Sequence, residues 1–177
     1  MTYVGTRGAT SAAISGIDIA LWDIKGKMLN QPVYKLLGGA VRDKIALYCH
    51  PPEPENPEHI TKHAKDIVNA GYKAFKMDPM MHHLHVGNST FLDGEISADA
   101  EEKAIEIVAA AREAVGPKTE ILIDAHGLYN VPTATRLANR MAEWNIFWFE
   151  EPVPAESWKA LKQVKAVSYT HLTLPTK

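Results

Sequence analysis

The chain has 177 residues, 46% of them apolar and 23% charged, with a formal net charge of −2. That balance suits an ordinary globular protein, leaves no basic footprint for nucleic acid, and includes no apolar run long enough to span a bilayer. Cys49 stands alone, so no intrachain disulfide is possible; the N-terminus lacks a secretory layout, and a soluble, cytoplasmic protein with no nucleic-acid or membrane partner is expected.

In chain order, Ile14, Ile17, Leu21, Ile24 and Met28 recur every three or four residues. This predicts a helix from Thr10 to Met28 whose apolar stripe, with Trp22 beside it, belongs to the core. Asn30-Gln31-Pro32 ends it, and Val33–Leu37 reads as a short helix closed by Gly38-Gly39. Lys44–Tyr48 is the first predicted strand, broken by Pro51-Pro52-Glu53-Pro54. A helix from Pro57 to Ala70 follows, then a strand, Ala74–Met77, stopped by Asp78-Pro79.

A long polar loop runs to about Gly94. Its His82-His83-Leu84-His85 has no Cys partner and reads as a lid segment rather than a zinc site. Asn88-Ser89-Thr90 matches a glycosylation sequon but, without a secretory signal, reads as polar loop. Ser97 caps a helix to Val115, with Glu101 and Glu102 in a solvated first turn. The remaining predicted elements are a strand Glu120–Asp124, a helix Val131–Trp144, a strand Ile146–Phe149 and a helix from Glu156 to about Lys165. Four strand–helix alternations predict a parallel sheet of right-handed βαβ units, as an open doubly wound sheet or a barrel.

The last residues stand apart. Val167–Thr176 (Val-Ser-Tyr-Thr-His-Leu-Thr-Leu-Pro-Thr) carries no strand signal and resembles, residue for residue, the translation of a transposase-end adapter used in sequencing-library preparation. Residues 167–177 are therefore expected to be non-native, and the rest to be a fragment ending near Ala166.

Two strands end abruptly in acid. Ile121-Leu122-Ile123 runs into Asp124, and Phe147-Trp148-Phe149 runs into Glu150-Glu151. An unpaired charge is costly to bury, so such carboxylates at the C-terminal ends of buried strands point to a site. Strand alternation puts Asp124 and His126 on one side, with Glu150 at the end of the next strand. Oxygen donors of this kind suit a hard cation such as Mg²⁺.

These pieces resemble the enolase superfamily, in its mandelate racemase and muconate lactonizing type, and within it the D-galactonate dehydratase-like sugar-acid dehydratases. The resemblance rests on Ser11–Gly26, Pro32–Gly39, Phe75-Lys76, Ile123–Gly127 and Trp148–Pro152. It implies an α/β fold: the last helices of an α+β capping domain over residues 1–43, then the first half of a (β/α)₇β TIM-type barrel over 44–166. It implies Asp124 and Glu150 as two of three Mg²⁺ ligands, the third lying on the next strand, with Glu151 just behind them. The implied reaction is Mg²⁺-dependent dehydration of an aldonate such as galactonate to a 2-keto-3-deoxy acid, with His126 protonating the departing β-hydroxyl. Relatives of this type often carry Lys-x-Lys at the second strand end. Here Lys76-Met77-Asp78 stands there, so the base is expected on later strands, while Lys76 and Asp78 are expected to contact substrate. The intact parent is expected to be a homo-oligomer acting on a small sugar acid. Two rivals remain: a racemase, epimerase or cycloisomerase on the same scaffold, and an inactive structural fragment.

Overall fold

The computed structural model describes residues 8–81 and 93–168, and the backbone of 171–173. The His82–His85 and Asn88–Thr90 segments lie outside the described residues. The chain divides into two compact units, one up to Ala46 and one from Leu47.

The first unit contains helix α1 (Ala9–Met28) and the short α2 (Val33–Leu36). Gly26, the buried residue of α1, is where the chain folds back: a Cβ there would meet the Gln31 carbonyl at 2.9 Å. The apolar stripe does not form a core within this unit. Ile17, Leu21, Ile24 and Met28 are exposed, and Trp22 is half-buried under the Lys25 ammonium. The reason is size, since a four-residue α2 cannot cover a helix of twenty. Among the described residues no helix is long and apolar enough to cross a membrane.

The second unit begins with a correction. Lys44–Tyr48 is not a strand; pairing is limited to a single parallel bridge between Cys49 and Phe75. The Cys49 N–H donates to the Ala74 carbonyl and the Lys76 N–H to the Cys49 carbonyl. Pro51 and Pro52 then end any ladder, because they have no N–H to give.

From there helix and strand alternate: α3 (Pro57–Asn69), β1 (Ala74–Met77), α4 (Ala98–Val115), β2 (Glu120–Asp124), α5 (Val131–Ala142), β3 (Trp148–Glu150), α6 (Trp158–Val167) and β4 (His171–Thr173). Side chains hold the helix starts. Asn56, Ser97, Asn130 and Ser157 each accept a backbone N–H from the first turn.

The four strands are parallel and lie in sequential order, β1-β2-β3-β4. Alternation then sorts their residues. Phe75, Met77, Ile121, Ile123, Ala125 and Phe149 join one core with Ile60, Ile107, Leu137 and Val164 of the helices. The helices thus cover one face of the sheet. A doubly wound sheet reverses direction and is covered on both faces, so this is barrel-wall geometry, the first part of a (β/α) barrel. The other face carries Lys76, Leu122, Asp124, Trp148 and Glu150.

β4 falls where the sequence carries no strand signal. The open edge of β3 offers a row of backbone donors and acceptors that any extended segment can pair with, whatever its side chains.

A second correction concerns the first turn of α4. Glu102 is exposed, as expected, but Glu101 is buried at 4% exposure. α5 places Arg136 and Arg140 one turn apart against it, at 2.8 and 2.9 Å, so its charge is paired from two sides.

Candidate active site

The polar face of the sheet ends in a cluster at the C-terminal edge. Asp124 and Glu150 are directly in register across β2 and β3. The Lys76 ammonium from β1 lies 2.9 Å from Asp124 Oδ2 and 3.1 Å from Glu150 Oε2. All three side chains are at most 14% exposed. Burial works to lower the Lys76 pKa, but the hydrogen bonds and charges of the two carboxylates outweigh it, and the net shift is upward. Tyr48 flanks the ammonium at 5.9 Å and meets Trp148 edge-on at 5.7 Å.

The chain leaves both strands in the same unusual way. His126 (φ 53°) and Glu151 (φ 41°) are left-handed without being glycine. Backbone bonds carry the ladder through these turns: the Ala125 N–H reaches the Glu150 carbonyl, and the Gly127 N–H the Glu151 carbonyl. Strain of this kind persists where the surroundings over-determine the backbone, often at functional sites. Glu151 therefore shapes the site through its main chain.

His126 does lie beside Asp124, but not by simple strand alternation. Its N–H donates to Asp124 Oδ1 at 3.0 Å, and its Nδ1 is 3.8 Å from that oxygen. The closer partner of Nδ1 is Asp78 Oδ2, at 3.0 Å. That bond raises the His126 pKa; burial opposes the rise, and the charges of Asp124, Asp78 and Glu53 add to it. The ring remains 42% exposed.

Asp78 is placed differently from the expectation. It is fully buried rather than open to a substrate. Its Oδ1 accepts the N–H groups of Met80 and Met81, and its Oδ2 faces His126. Three of its roughly four acceptor sites are thus taken by the protein. Glu53 holds the same turn by accepting the Asp78 N–H at 2.9 Å, with His50 Nε2 3.5 Å from its other oxygen. In the sequence His50 and Glu53 sit among prolines and read only as a strand breaker; no local signal links them to Asp78.

The donor set fits a hard divalent cation. Two carboxylates from adjacent strands converge on one point, already reached by a positive charge. Mg²⁺ commonly takes one or two carboxylates and fills its other positions with water or substrate oxygens. Among the described residues no group of three or more His, Cys, Asp or Glu side chains is gathered to hold a metal ion. On β4 the residue in register with Glu150 is Thr173, not an acid.

Comparison with known proteins agrees with this architecture. Residues 59–175 match the family model "Enolase C-terminal domain-like", and residues 2–38 match the mandelate racemase/muconate lactonizing enzyme N-terminal domain. The chain is 36% identical over 163 residues to a D-galactonate dehydratase of Pectobacterium atrosepticum, covering 92% of this chain and 40% of that one. It is 35% identical over 166 residues to a D-galactarolactone cycloisomerase of Agrobacterium fabrum, covering 92% and 39%. A crystal structure of an enolase superfamily member from Salmonella Typhimurium superposes with a TM-score of 0.83 at 34% identity, covering 93% of this chain and 45% of that one. The chain thus spans about two fifths of the length of the curated relatives it matches.

Proposed function

The chain belongs to the mandelate racemase/muconate lactonizing enzyme type of the enolase superfamily, and from that premise we propose that it carries part of the active site of a Mg²⁺-dependent sugar-acid dehydratase. Its substrate is an aldonate such as galactonate, and its product a 2-keto-3-deoxy acid. The observation that supports this reading is His126 next to Asp124, which is in register with Glu150 at the strand ends.

Asp124 and Glu150 are the residues that would hold the metal. When bound, Mg²⁺ would act as a Lewis acid toward the substrate carboxylate, making the α-hydrogen acidic. The ammonium of Lys76 adds positive charge on the same side, and its raised pKa keeps it charged at neutral pH. As the α-proton leaves, the β-hydroxyl departs with a proton from His126 and is released as water. The enol that remains tautomerises to the keto acid. Dehydration needs an acid at this stage, and the hydrogen bond to Asp78 shifts the imidazole toward its protonated form. The base is not assigned among the described residues, because the position two beyond Lys76 is the buried Asp78.

The test is a screen of full-length protein with Mg²⁺ against aldonates and aldarates. Formation of a 2-keto-3-deoxy acid is the expected result. Exchange of the α-hydrogen with solvent deuterium, without keto acid, would sink dehydration. The similarity to a cycloisomerase favours one alternative on the same residues, in which the proton from His126 goes to carbon or to a ring oxygen. A lactone substrate isomerised without loss of water distinguishes it.

A further inference from the structure

We propose that Asp78 is a positioning residue for His126: it fixes the ring's orientation and tautomer, so that Nε2 is the nitrogen that serves the substrate. The functional half of this inference rests on the dehydratase reading; the tautomer half does not.

The geometry leaves little choice. A carboxylate oxygen accepts hydrogen bonds and has no hydrogen to give. With Nδ1 of His126 3.0 Å from Asp78 Oδ2, the hydrogen of that bond must sit on Nδ1. Among the described residues Nε2 has no hydrogen-bond partner, and the ring is partly exposed. Asp78 cannot swing away. It is fully buried, its other oxygen is held by two backbone N–H groups at 2.8 and 3.1 Å, and its own N–H is held by Glu53. The partnership bridges 48 positions of sequence and joins the turns that follow β1 and β2. When Nε2 gives its proton to a departing hydroxyl, the neutral ring left behind carries its hydrogen on Nδ1, the form that Asp78 accepts from. This is the orienting role of the third member of a nucleophile–base–carboxylate triad, transferred to a general acid.

Asp78→Asn separates orientation from mere packing. The Met80 and Met81 N–H groups claim the amide oxygen, since they need an acceptor. The amide nitrogen is then presented to Nδ1, which must accept, and the hydrogen moves to Nε2. Long-range ¹H–¹⁵N spectra of histidine-labelled protein, at alkaline pH, read the tautomer directly, with His126 assigned by its loss in His126→Gln. The expected result is hydrogen on Nδ1 in the wild type and on Nε2 in Asp78→Asn, with circular dichroism unchanged. In turnover, kcat of the variant falls by about 10²–10⁴-fold while KM stays within a few fold.

The same tautomer in both proteins, or hydrogen on Nε2 in the wild type, overturns the proposal. If Asp78→Asn does not fold, the wild-type spectrum decides: hydrogen on Nδ1 upholds the placement and hydrogen on Nε2 overturns it. A wild type that shows the expected tautomer yet makes no keto acid defeats the dehydratase reading and leaves the Asp78–His126 pairing standing.

Discussion

The two ends of the sheet handle charge in opposite ways. At the C-terminal end, side-chain charges face one another: Lys76 against Asp124 and Glu150, His126 against Asp78. At the N-terminal end a guanidinium gives its hydrogen bonds to backbone, with the Glu120 charge nearby. Arg112 of α4 donates to the carbonyls of Gly116, Thr119, Trp144 and Asn145, at 2.7 to 2.9 Å. Those carbonyls belong to the turns that lead into β2 and β3. Burial lowers the Arg112 pKa, but a guanidinium stays charged under any ordinary condition. Carbonyl dipoles are fixed and do not titrate, so this end is a staple. Opposed carboxylates, an ammonium and an imidazole can exchange protons and accept a metal, so the other end can do chemistry. The division matches the general one in barrels, with catalysis at the C-terminal face and stability at the N-terminal face.

Substitutions at each end should therefore fail differently. The largest effect is expected from Asp124→Asn or Glu150→Gln, which remove a carboxylate charge from the proposed metal site. Turnover should drop by about 10³-fold, by analogy with the loss of one preorganised electrostatic contact. Titration with Mn²⁺, followed by its electron spin resonance signal, should show weakened metal binding. A variant with wild-type turnover and metal affinity would remove these residues from the site.

Next comes Arg112→Met. It leaves four carbonyls without their donor and should cost about 3 kcal/mol of stability. Urea unfolding measures the cost, and metal affinity under folding conditions should be unchanged. Equal losses of stability and metal binding would mean that the two ends are not separable. Arg112→Lys should recover only part of the stability, because an ammonium cannot reach four carbonyls in the geometry of a planar fork.

The smallest effect is the pH dependence contributed by His126. Its folded pKa lies above the ordinary value of 6.5, chiefly through the bond to Asp78. A raised histidine pKa stabilises the fold fully below the unfolded value, and the contribution disappears as pH rises through the folded value. The ring is 42% exposed, so solvent screening should hold the effect below about 1 kcal/mol. The difference in urea midpoint between wild type and His126→Gln should thus be greatest below the ordinary histidine pKa and fade as pH rises above it. A difference that grew with pH would contradict the Asp78 contact.

Local patterns carried most of the fold on their own. The helix of Ser97 to Val115, its serine cap, and the strands Ala74–Met77 and Glu120–Asp124 are set by spacing and capping chemistry within a few residues. So are the acidic strand ends Asp124 and Glu150, which stand out because an apolar run stops at a charge. Tertiary structure decided what those patterns leave open. The choice between a barrel wall and a doubly wound sheet came from strand order, which no single segment encodes. The apolar stripe of α1 reads as core by spacing, yet spacing cannot supply a partner to bury it. Glu101 and Glu102 look alike in sequence; only the arrival of Arg136 and Arg140 from another helix makes the first a buried charge and leaves the second exposed. Asp78 and His126 are the sharpest case. Each sits at its own strand end, 48 positions apart, and parallel register together with the turns that follow β1 and β2 brings a buried carboxylate to an imidazole that local chemistry had assigned to separate tasks.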